Sequence, residues 1–191
     1  MTSFAERYRA SDLTFDENGI YWVNPSDNET YQVMMGWEQP IMDKMAELCV
    51  SEGDDVLEIG FGMGILSDAI QTRKPKSHTI IECHKDIIPK LQEWASDKSN
   101  VTVVEGLWVD KMPLMQTKFD AILQDTYGDD FLNALPFHVD LVRKTNCKFT
   151  YWNMPTDLGF ENVEYHEVDV NPPSNKYYNS NKYRIPIINY S

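Results

Sequence analysis

Three glycines at alternate positions, Gly60, Gly62 and Gly64, interrupt the aliphatic run Val56-Leu-Glu-Ile59 and precede an apolar-periodic stretch. Glycine avoids the Cβ clash at unusual φ and lets the backbone approach a ligand, while the amides of a following helix point toward it. The pattern predicts a strand, a tight turn and a helix arranged to cradle a nucleotide; packing is the competing role for such a turn. Glu82 closes the next apolar run, His78-Thr-Ile-Ile-Glu82, where doubly wound folds place an acidic side chain on the ribose hydroxyls. A solvated carboxylate at a strand end is the plainer alternative. The spacing is Gly-x-Gly-x-Gly and not Gly-x-Gly-x-x-Gly, so a nucleotide without a pyrophosphate suits it better than a dinucleotide.

Alternating strands and helices are needed to position these groups, and the sequence predicts them. Strands are expected near 56–60, 79–83, 101–104, 119–124 and 147–152, with helices near 64–73, 85–95 and within 129–144. This alternation predicts a mostly parallel sheet with helices on both faces. Pro136 breaks the third helical pattern, which predicts a short or split element. Upstream, Pro40 suits the first turn of a helix whose Ile41, Met45, Leu48 and Cys49 share a face, and Gly53 is expected to close it. The tail reads as two strands, Val163 to Val170 and Arg184 to Ile188, joined without a long helix, so an antiparallel hairpin on the sheet edge is expected. Residues 1–30 are polar and aromatic with turn signals at Asn18-Gly19 and Asn24-Pro25. They are read as an N-terminal arm or lid, and residues 31–191 as a single domain.

Composition narrows the partners. The chain has 191 residues and a formal net charge of −13, which repels phosphate backbones and anionic membranes and argues against nucleic-acid or membrane partners. Cys49, Cys83 and Cys147 are far apart and odd in number, so neither a disulfide framework nor a metal site is indicated. No apolar run reaches the ~20 residues of a membrane span, and the N-terminus lacks signal-peptide features. A cytoplasmic protein is expected, and the sequence leaves a homodimer open.

Five motifs in order extend the picture: Val33-Met-Met-Gly-Trp-Glu-Gln-Pro-Ile-Met42, Val56-Leu-Glu-Ile-Gly-Phe-Gly-Met-Gly64, Ile80-Ile-Glu-Cys83, Glu105-Gly-Leu-Trp108 and Phe119-Asp-Ala-Ile-Leu-Gln-Asp-Thr-Tyr127. Together they resemble guanidinoacetate N-methyltransferase and its arginine-methylating relatives, over residues 31–153 and more loosely at Asn171-Pro-Pro-Ser-Asn-Lys-Tyr-Tyr178. The resemblance implies a Rossmann-like class I methyltransferase fold, S-adenosylmethionine as cofactor and a small-molecule guanidino acceptor of the guanidinoacetate kind, giving a creatine-like product. By the same resemblance, Met34 and Met42 pack against the cofactor and Gly60, Phe61, Gly62, Met63, Gly64 and Ile65 line it. Glu82 and Cys83 lie at the ribose, and Gly106 and Leu107 frame the adenine. From spacing alone, core filling is the simpler role for Met34 and Met42.

The acceptor side falls to Glu38 and Asp125. A guanidinium holds its proton far above neutral pH and offers no lone pair, so methylation needs its charge balanced and a proton removed. Carboxylates bind its planar edge through paired hydrogen bonds and so orient one nitrogen. Asp125, past the fourth strand at the carboxyl edge of the sheet, is assigned as proton acceptor and cofactor neighbour, and Glu38 as its clamping partner. Capping its own helix is the alternative for Glu38. Trp37, Trp108, Tyr127 and Trp152 are candidates for the walls of the site, or for core.

The chain departs from the family where the substrate carboxylate is held. The family's Leu-Thr-Ser segment is replaced by Met154-Pro155-Thr156-Asp157, which leaves Thr156 as the candidate substrate contact there. The helical segment that follows is missing, and Lys144-Thr-Asn146 stands for the usual Pro-Gly-Gly turn. Two further readings therefore stay open: a protein-arginine N-methyltransferase, and a non-catalytic module that binds S-adenosylmethionine.

Overall fold

The structure is a computed structural model that describes residues 2–153, 157–174 and 178–191. Its centre is β4 (Asp55–Ile59), flanked in parallel by β5 (Ser77–Glu82) and β7 (Phe119–Gln124). Beyond β5 lies β6 (Val101–Glu105), and beyond β7 lies β8 (Arg143–Tyr151). The tail adds β9 (Glu164–Asp169) and β10 (Lys182–Asn189), giving the order β6-β5-β4-β7-β8-β10-β9. β10 runs antiparallel to both its neighbours, so the expected hairpin forms the sheet edge. A mostly parallel sheet with an antiparallel hairpin at its edge is the Rossmann-like arrangement that the resemblance implied.

Strand alternation sets the two layers. Val56, Ile80, Ala121 and Leu123 face a core built with α2 (Gln39–Cys49), α3 (Ile65–Thr72) and Leu91 of α4 (Ile88–Ala95). Leu57, Ile59, Ile81, Ile122 and Phe149 face a second core with α5 (Trp108–Lys111) and α6 (Leu135–Val142). A strand covered on both faces must be apolar throughout, which explains the continuous aliphatic runs. Among the described residues, no helix is long and apolar enough to cross a membrane.

The element expected within 129–144 is short and split, as its proline predicted: a 3-10 turn, Leu132–Ala134, precedes α6, and Pro136 occupies the first turn of α6, where a residue has no intrahelical N–H bond to lose. The end of α2 differs from expectation. α2 ends at Cys49 with Val50 as its cap, whose N–H bonds to the Ala46 carbonyl; Gly53 lies beyond, at φ +89°, in the turn before β4.

The first residues carry α1 (Phe4–Ala10) and an antiparallel sheet of β1 (Thr14–Phe15), β2 (Gly19–Asn24) and β3 (Glu29–Met35). Ser3 and Glu6 cap α1 reciprocally. Phe4, Tyr8, Trp22 and Tyr31 pack ring against ring, and Tyr127, in the loop after β7, joins them at 4.9 Å from Tyr8. His84 bonds to the Tyr8 carbonyl at 3.1 Å, and the Leu13 N–H donates to Asp86 at 2.9 Å. The small sheet is thereby seated over the carboxyl ends of β5 and β7.

Candidate functional site

The glycine turn leaves β4 where the strand order reverses, the position at which open α/β sheets form a crevice. Gly60 donates its N–H to the Ile81 carbonyl at 2.9 Å with φ +92°, and a Cβ there would lie 2.0 Å from the carbonyl oxygen of Asp125. No L side chain fits that approach. At Gly62, φ is +55° and a Cβ would meet the Met34 sulfur at 2.4 Å. That sulfur accepts the Met63 N–H at 3.1 Å, so β3 of the small sheet is tied directly to the turn. Gly64 is the residue that caps α3.

Glu82 ends β5 nearly buried, at 6% exposure. One carboxylate oxygen accepts the Phe61 N–H at 2.9 Å, and the other accepts the N–H groups of Cys83 and His84, each at 2.8 Å. Backbone amides thus fix the carboxylate against the turn while lone pairs remain for a diol. Replacing it with Gln puts an amide NH2 against at least one of these N–H donors in either flip state. Roughly 1–3 kcal/mol of pairing is lost. Glu82→Gln is expected to weaken nucleoside binding by about ten- to a hundredfold by calorimetry; unchanged affinity would remove Glu82 from the cradle.

A cleft of ≈ 640 Å³ opens above the turn and is lined by Met34, Glu38, Gly60, Gly62, Glu82, Cys83, Gly106 and Asp125 together. That volume suits a nucleoside-sized ligand with a small partner. The cradle, the fixed carboxylate and the space above them fit an adenosyl group.

Asp125 follows β7 and donates its N–H to the Ile59 carbonyl at 2.8 Å, which aligns it with the glycine turn. Burial pushes its carboxyl up to about 7, with the charges of Glu58 and Glu82 adding to the effect. Glu58 lies fully buried beneath the turn on β4. It accepts the Ser67 hydroxyl at 2.7 Å and lies 2.8 Å from His78 Nε2, while desolvation raises its own pKa. Glu38, 3% exposed, accepts the Met35 N–H at 3.1 Å. It stands at the N-cap position of α2 but makes no side-chain capping bond to it; its bond to Met35 goes back to the entry of the 3-10 turn Gly36–Glu38, and the residue lines the cleft.

The remaining candidates lie around this cleft or away from it. Met42 is fully buried on α2, and Phe61 and Ile65 are buried behind the turn. Met63 and Leu107 are partly exposed, the latter as the residue preceding α5. Thr156, with Met154 and Pro155, lies outside the described residues, as do residues 175–177. Of the four aromatic candidates, Trp108, Tyr127 and Trp152 line the cleft, and Trp37 stacks on Tyr178 at 5.8 Å. Tyr8 and Tyr21, which the sequence placed in an arm, also line it, as does Tyr31 at the start of the expected domain. Their signal was the aromatic density of a segment whose other residues are mostly polar. Among the described residues, no group of three or more His, Cys, Asp or Glu side chains is arranged to hold a metal ion.

Residues 28–150 match the guanidinoacetate N-methyltransferase family. Protein arginine N-methyltransferase 2 of Emericella nidulans is 31% identical over 97% of this chain and 50% of its own length. The enzyme of the same name from Yarrowia lipolytica is 34% identical over 76% of this chain and 33% of its own length. The chain therefore spans between about a third and a half of these relatives. Spermidine synthase from Thermotoga maritima shares the fold with a TM-score of 0.64 at 13% identity, covering 93% of this chain and 72% of that one.

Proposed function

Because this chain belongs to the guanidinoacetate N-methyltransferase family, we propose that it is an enzyme that methylates a nitrogen of a guanidino group. The family's cofactor is S-adenosylmethionine, which when bound supplies a methyl group on a sulfonium. In this reading Gly60, Gly62 and Met34 form the cradle, Glu82 takes the ribose hydroxyls, and Gly106 borders the base. Met42, Phe61, Gly64 and Ile65 support that cradle from behind, and Cys83, Met63 and Leu107 flank it.

The observation that carries the proposal is the presence of Glu38 and Asp125 in the same cleft as the glycine turn and Glu82. A guanidinium brings charge and excess protons, and two carboxylates answer both needs. Glu38 pairs with the planar cation and aims it. Asp125 takes the proton that the reacting nitrogen must shed as its new bond to carbon forms. The acceptor implied by the family description is a small guanidine of the guanidinoacetate kind. A second reading, an arginine side chain, draws support from the names of the relatives. Incubation with labelled S-adenosylmethionine and a panel of guanidines tests the proposal. Cofactor binding without methylation of any guanidine would leave only a binding module.

The pH profile gives a further check. Asp125 is neutral below its raised pKa of about 7 and becomes a base above it. We expect kcat/KM to rise about tenfold per pH unit below pH 7 and to level off above it. A flat profile through this range would exclude Asp125 as the titrating base. A cationic acceptor favours the carboxylate, so the limb in kcat belongs at lower pH than the limb in kcat/KM.

A further inference from the structure

We infer that Asp129 is a positioning residue for the nucleoside: its carboxylate holds the Trp108 indole as the wall of the purine subsite and ties that wall to the loop carrying Asp125. The inference rests on the placement of the nucleoside in the cleft and not on the acceptor. Trp108 opens α5 two residues beyond Gly106, and both line the cleft beside Ile81 of β5 and Cys83 after it. The indole N–H donates to Asp129 Oδ2 at 2.6 Å. Thr126, the residue after Asp125, donates its hydroxyl to the same oxygen at 3.1 Å, and the Gln124 amide donates to that hydroxyl in turn. The Phe131 N–H donates to Asp129 Oδ1 at 2.8 Å, which fixes the carboxylate from the loop side. Asp129 is not among the described residues that line the cleft, so it acts through Trp108 and Thr126.

Among the described residues, Asp129 is the acceptor that the indole N–H finds. Trp108 is buried, and His138 stands perpendicular to it with ring centroids 5.1 Å apart. Both nitrogens of that imidazole face backbone carbonyls, of Ala134 at 2.8 Å and of Val109 at 3.1 Å, so His138 offers the indole no substitute. A hydrogen bond from an indole to a carboxylate is charge-assisted, and it sets the plane in which the ring lies. Without the carboxylate the buried N–H is left unpaired, and its way back to water leads into the cleft, where the purine sits in this reading.

A double-mutant cycle read by calorimetry with S-adenosylhomocysteine, which needs no acceptor, tests the inference. Trp108→Phe keeps a ring in the wall and removes the N–H, and Asp129→Ala removes the carboxylate. Asp129→Ala is expected to weaken binding at least about tenfold in the otherwise wild-type chain. In the Trp108→Phe background the same change is expected to cost less than about threefold, because no indole N–H is left to strand. Equal losses in both backgrounds would mean that Asp129 supports the loop alone, and they overturn the inference, as does unchanged affinity in Asp129→Ala. A second measurement needs no change at Asp129. The Trp108 indole proton, assigned by its loss in Trp108→Phe, should appear downfield in the NMR spectrum of the nucleoside-free chain and exchange slowly with solvent; free exchange overturns the inference. A wild-type chain that does not bind S-adenosylhomocysteine overturns the placement of the nucleoside and this inference with it. Guanidine methylation does not enter either measurement, so its failure is read separately.

Discussion

Asp125→Asn is expected to lower kcat by about a hundred- to ten-thousandfold while S-adenosylmethionine binds within a few-fold of wild type, since a positioned general base contributes on that scale. Asparagine keeps the size of the side chain and the backbone bond to Ile59, so the turn below stays in place. What it loses is the ability to accept a proton and to carry negative charge. Both losses act mainly when the acceptor nitrogen sheds its proton, so they fall on kcat and on kcat/KM together. The mutation also relieves some strain of charge. Burial and the neighbouring charges of Glu58 and Glu82 hold the Asp125 carboxyl at about 7. Above that pH the folded protein keeps an unfavourably ionised group. The sign is that of a raised acid: its stabilising effect is complete below the unfolded pKa and is lost as pH rises through the folded one. The variant should therefore melt slightly higher than wild type at pH 8 and should lose the acidic limb in its pH profile. Full activity in Asp125→Asn would remove it from the chemistry, and loss of cofactor binding would show that its role is structural.

The large sheet was readable in the sequence because strands buried on both faces must be continuously apolar and the helices between them keep a 3.6-residue period. Val56 to Ile59 and Phe119 to Gln124 announce themselves in this way. The small N-terminal sheet was not readable. Its strands β2 and β3 place Ile20, Trp22 and Met34 inward while leaving Glu29 and Thr30 exposed, and the ring cluster over them reaches Tyr127 and His84, far along the chain, through Tyr8 of α1. No local period encodes such a contact. The site divides in the same manner. Gly60, Glu82 and Asp125 sit at strand ends, where sheet topology determines what meets. Tyr8 reaches the cleft from α1, and Tyr21 and Tyr31 from the small sheet seated on it. Pro136 was legible as a break in the helical pattern, and the change from the 3-10 turn Leu132–Ala134 to α6 is that break.

Gly60→Ala is expected to be the most damaging single change in the cradle, more so than any small substitution at Gly62. The reason lies in what each added methyl would meet. At Gly62 the neighbour is the sulfur of Met34, the flexible part of a side chain, and φ of +55° is within the left-handed region that other residues visit at modest cost. Met34 can turn aside, so Gly62→Ala should weaken cofactor binding while the chain stays folded, and a bulkier Gly62→Val should abolish binding by filling the turn. At Gly60 the neighbour is the backbone carbonyl of Asp125 at 2.0 Å, and φ is +92°. Neither a rotamer change nor a small backbone adjustment relieves that contact, because β4 and β7 are hydrogen-bonded there through the Asp125 N–H and the Ile59 carbonyl. Backbone strain and overpacking together amount to roughly 2–6 kcal/mol. The same displacement moves Asp125, so binding and turnover should fall together. Denaturant unfolding and calorimetry on the two alanine variants separate these effects. A Gly60→Ala chain with wild-type stability and cofactor affinity would mean that the end of β7 yields freely, contrary to the close register that joins the glycine turn to its base.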